Sequence, residues 1–240
     1  MQLDRDTPLA LLIIGVHDPV LAVKEARRAV EELGAVAVIG TPNPVNGRHI
    51  HDPSFDPLWE TLAGLGVPVG FHPTGISSLR DDIGHRFWGT INGAAIAYAA
   101  GNPMELMLAF ASLAMGGVLE RHPKLKVAFL EGTAGWLPWW LWRLDEYWET
   151  MGPGYDASVS LLPGEYFRRQ CYIATDPDEA GLHRVIESIG DDRIVISTDY
   201  PHSDGLFPEA MNEFLALEKV GDDSKRKILW DNCADLYDLH

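Results

Sequence analysis

Polar residues that can do chemistry close a series of short apolar runs: His17-Asp18, Thr41, His72, Glu131, Thr175-Asp176 and Asp199. Three of them, His72, Glu131 and Asp199, can bind a divalent metal through a neutral imidazole or a carboxylate oxygen. Asp199 can also act as a general base on a metal-bound water, because the ion lowers that water's pKa. The alternative for any single residue is a helix cap or an ion pair. A whole set of such residues at one end of a row of strands points instead to a site, since parallel barrels assemble their chemistry there.

The elements that must position these side chains alternate along the chain. Near-continuous apolar runs at residues 9–16, 35–40, 67–72, 126–131, 171–175 and 193–199 suit parallel strands buried on both faces. Helical stretches lie between them. One runs from Asp18-Pro19 to Leu33 and is stopped by Gly34, and a second covers 55–65 before Gly66. Asn102-Pro103 reads as a cap and a first-turn proline leading a helix to Leu119. Further helices are expected over 138–148, 178–189, 208–219 and 224–237. Repeated strand–helix units require a parallel sheet, open or closed. No GxGxxG or GxxxxGK[ST] follows any run, so a barrel is preferred to a nucleotide-binding open sheet.

Several segments carry a resemblance. Val67-Pro-Val-Gly-Phe-His-Pro73, Arg193-Ile-Val-Ile-Ser-Thr-Asp-Tyr-Pro-His202, Glu120-Arg-His-Pro-Lys-Leu-Lys126 with Phe129-Leu-Glu-Gly-Thr-Ala-Gly-Trp136, and Ile228-Leu-Trp-Asp-Asn232 occur in a telling order. From about Ala10 to its end the chain resembles the metal-dependent amidohydrolase-related family that includes aminocarboxymuconate-semialdehyde decarboxylase. The resemblance implies an α/β fold of the (β/α)8 TIM-barrel type, with about six of eight strands present in one domain over residues 1–240 that lacks its N-terminal strands. It implies that His72 and Asp199 bind the metal, with Asp199 transferring protons, and that the ion is Zn²⁺ or Mn²⁺. Glu131 stands where members with full metal sites carry histidine, so it would serve as an oxygen ligand or mark an altered site. The family's opening His-x-His motif has no counterpart at the start of the chain. Arg48-His-Ile-His51 has the right spacing, but it follows the turn-rich 41–47 segment, so His49 and His51 read as loop histidines near the site mouth.

Among the other histidines, His202 follows Asp199 in a loop and His17 closes its strand, and both are candidate substrate contacts. His85 falls in a long connection, residues 75–101, expected over the pocket mouth, while His122 reads as structural and His183 as surface. In the tryptophan-rich segment, Trp136, Trp140, Arg143 and Tyr147 share one helical face expected to pack on the barrel. Trp139, Trp142 and Trp148 point elsewhere and suggest a homo-oligomer contact.

Composition narrows the rest. Nineteen basic against 35 acidic residues give a net charge of −16, which disfavours nucleic acid and anionic membranes. Cys171 and Cys233 form no CxxC pair and read as small buried hydrophobes, consistent with a reducing, cytoplasmic setting. Residues 1–16 fit neither a secretory signal nor a membrane span. The functional expectation is a metal-dependent hydrolase or non-oxidative decarboxylase of a small carboxylated or cyclic substrate. The rival is an impaired or truncated barrel that binds a ligand or self-associates.

Overall fold

A computed structural model describes residues 10–73, 81–154, 159–203 and 205–239. The first residue of the 9–16 run and part of the 75–101 connection lie outside them.

Among the described residues six strands form one sheet: β1 (Leu11–Ile13), β2 (Ala37–Gly40), β3 (Val69–Phe71), β4 (Val127–Phe129), β5 (Cys171–Thr175) and β6 (Ile194–Ile196). They pair in sequence order, every pair parallel, with registers such as Val69↔Val127 and Ile173↔Ile194. Unbroken order without a reversal is barrel winding rather than the doubly wound arrangement. All residues of β3, β4 and β5 are buried, as their continuous hydrophobicity requires. Gly70 keeps neighbouring strands close, since a Cβ there would sit 2.7 Å from Ile39 Cδ1 and 2.8 Å from Leu130 Cδ1.

Among the described residues ten α-helices accompany the sheet: α1 (Pro19–Arg27), α2 (Asp56–Leu65), α3 (Gly93–Met115), α4 (Val118–Arg121), α5 (Leu137–Met151), α6 (Pro163–Gln170), α7 (Leu182–Ile189), α8 (Ala210–Leu215), α9 (Asp222–Arg226) and α10 (Asn232–Tyr237). Asp18 caps α1 by accepting from the amides of Val20 and Leu21. Gly34 and Gly66 end their helical segments in the left-handed region at φ 71° and 72°, as their placement predicts. Aromatic rings join the layers. Phe110 of α3 stands edge-on to Phe129 of β4 and to Phe167 of α6, with centroids 5.8 and 5.7 Å away.

Four expectations are corrected. Helix α3 begins nine residues before Asn102 and carries Pro103 in its interior, because the alanine-rich 94–100 stretch sustains the helix despite the lost N–H. Helix α6 was not foreseen. It is short and polar, and opens with Leu162 N–H donating to Glu165 Oε2 at 2.8 Å. The helix expected from Asp178 starts at Leu182, after a turn in which Leu182 N–H donates to the Glu179 carbonyl. On α5 the core-facing side chains are Leu137, Leu141, Leu144 and Trp148, so Trp148 is buried rather than projecting, while Arg143 and Tyr147 are exposed. Trp136 and Trp140 do pack against the core.

Candidate metal centre

Glu131 follows β4, Asp176 follows β5, Asp199 follows β6 and His72 follows β3, so all four lie at the C-terminal ends of adjacent strands. Glu131 and Asp199 occupy the left-handed region at φ 57° and 55°, and Thr133 does so at 56°. Non-glycine residues rarely hold this conformation without surrounding structure that enforces it, and such positions cluster at functional sites. Past Asp199 the chain folds back tightly. His202 N–H donates to the Asp199 carbonyl, and a Cβ on Gly205 would lie 3.0 Å from that same oxygen. The turn places His202 Nδ1 2.7 Å from Asp199 Oδ1.

Among the described residues one group could hold an ion: ligand atoms of Glu131, Asp199 and His202 lie within 4.8 Å of one another. His72 joins from the next strand, its Nε2 2.5 Å from Glu131 Oε2 and its Nδ1 2.7 Å from the Pro73 carbonyl. With Nδ1–H donating to Pro73, the Nε2 lone pair of a neutral ring would face a carboxylate oxygen, so this contact calls for a proton between them. The Glu131 carboxylate accordingly raises the His72 pKa, against the opposing effect of burial.

The cleft over Glu131 and Asp199 encloses about 340 Å³, and its described lining has four carboxylates (Glu131, Asp176, Asp178 and Asp199) with no lysine or arginine. Burial, reinforced by Glu179, Asp178, Asp199 and Glu131, pushes Asp176 up to about 6. Two buried acceptors lack a well-aligned partner, Glu131 Oε2 and Asn102 Oδ1. Asn102 reaches the site from α3 and donates through Nδ2 to Glu131 Oε1 at 3.3 Å. Concentrated negative charge, the unpartnered Asn102 Oδ1 and an oxygen-rich donor set fit a hard divalent cation.

The expected residues separate into three groups. Glu131 and Asp199 come together, and His202, singled out as a substrate contact, stands in the donor set itself. His72 touches the set through Glu131. His17 is exposed at the end of β1, three strands away from β4, and does not line the cleft. His49 and His51 stack at 5.4 Å in the β2–α2 connection, with His51 against Gly116 at the end of α3, outside the cluster. His122 is structural, with Nε2 3.3 Å from Asp56 Oδ1. Asn102 was missed because Asn-Pro reads as a helix start. Asp176 was visible as a strand-end residue, but its elevated pKa depends on neighbours brought together by folding.

A family profile described as Amidohydrolase matches residues 5–239. A 2-amino-3-carboxymuconate-6-semialdehyde decarboxylase from Dictyostelium discoideum is 29% identical over 220 residues, 91% of this chain and 57% of its own. A crystal structure of an amidohydrolase from Mycobacterium avium subsp. paratuberculosis superposes with TM-score 0.78 and 30% identity, over 94% of this chain and 56% of that one. A dihydroxybenzoic acid decarboxylase from Polaromonas sp., solved with manganese and the inhibitor 2-nitroresorcinol, gives TM-score 0.73 and 26% identity, over 94% and 68%. The chain thus spans little more than half the length of the first two.

Proposed function

From a chain that belongs to the amidohydrolase family, we propose a metal-dependent carboxy-lyase that removes CO₂ without oxidation from a small aromatic or dienoic carboxylic acid. The observation that carries this reading is the convergence of Glu131, Asp199 and His202 ligand atoms within 4.8 Å at the strand ends. Decarboxylation is favoured over hydrolysis by the similarity to decarboxylases of such acids. The carboxylate-rich donors favour Mn²⁺ over Zn²⁺, and manganese is bound in the Polaromonas relative.

In this reading Glu131, Asp199 and His202 hold the ion, with His72 orienting Glu131. The ion would supply positive charge for an anionic substrate that four carboxylates otherwise repel. Tyr98, Pro103 and Leu206 offer apolar walls to a flat ring. In the chemical step the bond to the carboxylate breaks, its electron pair stays on the ring or diene carbon, CO₂ departs, and that carbon takes a proton. Asp199, which keeps a second carboxylate oxygen and lies 2.7 Å from His202, is the group that would carry this proton.

The metal half of the reading is tested by thermal unfolding with Mn²⁺. At free Mn²⁺ of about 100 times Kd, stabilisation should be about 2.7 kcal/mol, a Tm rise of roughly 5–10 °C for a chain of this size. Asp199→Asn should lose most of that rise. Wild-type protein that contains no divalent ion and shows no Mn²⁺-dependent shift would remove the proposal.

A further inference from the structure

Glu131 holds an unfavourable backbone conformation, and something must enforce it. The turn that follows β4 runs Glu131, Gly132, Thr133 and Ala134, with Glu131 and Thr133 both left-handed. On one side the turn is pressed against α3, where a Cβ on Gly132 would come within 2.4 Å of Leu106 Cδ1. Within its own strand–helix unit, Trp136 Nε1 donates to the Gly132 carbonyl at 3.0 Å. Beyond the Asn102 and His72 contacts to the Glu131 side chain, a further tie to the turn comes from the next unit. The buried Ala134 N–H donates to both carboxylate oxygens of Glu179, at 3.0 Å each. Thr175, fully buried at the end of β5, donates its hydroxyl to Glu179 Oε2 at 2.7 Å. Glu179 can reach back because α7 starts only at Leu182. It makes no ion pair with lysine or arginine among the described residues. Among the described residues its carboxylate is held by these N–H and O–H donors, so each bond is a charge-assisted one.

We infer that Glu179 is a positioning residue, the strut from the β5 loop that holds the Glu131 turn in its left-handed geometry and thereby sets the affinity of the Glu131–Asp199 pair for a divalent cation. It does so without touching the ion. The inference rests on the metal-dependent reading above. Residues that orient a metal ligand from behind typically change metal affinity about 10–100-fold when altered.

The test uses the full 240-residue chain carrying Glu179→Gln, which keeps the shape and removes the charge, and Glu179→Ala. Three quantities are measured: hydrogen exchange at the Ala134 amide in metal-free protein, the Mn²⁺ Kd by calorimetry, and Tm. In both variants Ala134 should exchange at least about 10-fold faster, and the Mn²⁺ Kd should rise about 10-fold or more. Glu179→Gln secures the result if Glu179→Ala fails to fold. Exchange and Kd both within about twofold of wild type would overturn the inference. So would a lowered Tm with an unchanged Kd, which would make Glu179 a fold-stabilising contact only. If the wild-type chain itself binds no Mn²⁺, the metal-dependent reading falls, and the Ala134 exchange rate alone decides whether Glu179 holds the turn.

Discussion

Asp176 shares its cleft with Glu131, Asp178 and Asp199, and burial together with these like charges lifts it to about 6. His72 is raised as well, chiefly by its contact with Glu131. Both groups hold protons more tightly folded than unfolded. Their contribution to stability is therefore full below the unfolded pKa, 3.8 for Asp176 and 6.5 for His72, and is lost as pH rises through the folded value. For Asp176 the window is about pH 4 to 6, and for His72 it opens above pH 6.5. Metal-free Asp176→Asn should accordingly match wild type near pH 4 and melt about 2–4 °C higher near pH 7, the equivalent of roughly 1 kcal/mol. Paired melting curves across this range check it, and a variant that is less stable than wild type at pH 7 would count against the charge-crowded cleft. The difference should shrink when Mn²⁺ is added, because the ion favours the ionised carboxylate.

At the level of elements, α3 joins the site to the core. Along its buried face it presents Asn102 to Glu131 and, two turns on, Phe110 between Phe129 and Phe167. Phe110→Ala should cost about 3–5 kcal/mol, measured by denaturant unfolding, since a fully buried ring leaves a cavity that its neighbours cannot close. A loss under 1 kcal/mol would mean the α3–β4–α6 junction is not packed as described. The six strands were legible in the sequence because strands buried on both faces must be continuously apolar, and the polar residue ending each run marked the site end. Helix α3 was misplaced because Asn-Pro carries the local signature of a helix start, while its alanine-rich upstream stretch and its packing carry the helix through. Glu131 was legible as a candidate ligand. Its left-handed backbone was not, nor was the Glu179 tie beneath it, because that contact joins residues 45 positions apart. Trp148 was misjudged by taking the helix face from the tryptophans, when the leucines at 137, 141 and 144 define the buried stripe.

Taken whole, the molecule leaves large apolar side chains uncovered. Trp139 and Trp142 on α5 are 54% and 59% exposed, and Ile13 on β1 is 80% exposed. Among the described residues β1 pairs only with β2 and β6 only with β5, so each offers an open edge. No described helix is long and apolar enough to cross a membrane. If the two tryptophans lie in a contact between copies, Trp139→Glu with Trp142→Glu should shift the chain to a later elution volume in size exclusion, with its Tm at high dilution unchanged. An identical elution volume would place any self-association elsewhere. If the strand-end carboxylates and His202 serve CO₂ removal, the Mn²⁺-loaded chain should release CO₂ from 2,6-dihydroxybenzoate, a related hydroxybenzoate or the dienoic 2-amino-3-carboxymuconate-6-semialdehyde. That release should stop with chelator and fall about 10²–10⁴-fold in Asp199→Asn. Release that is unaffected by chelator and by Asp199→Asn, or no release from any such acid by protein shown to hold Mn²⁺, would contradict it.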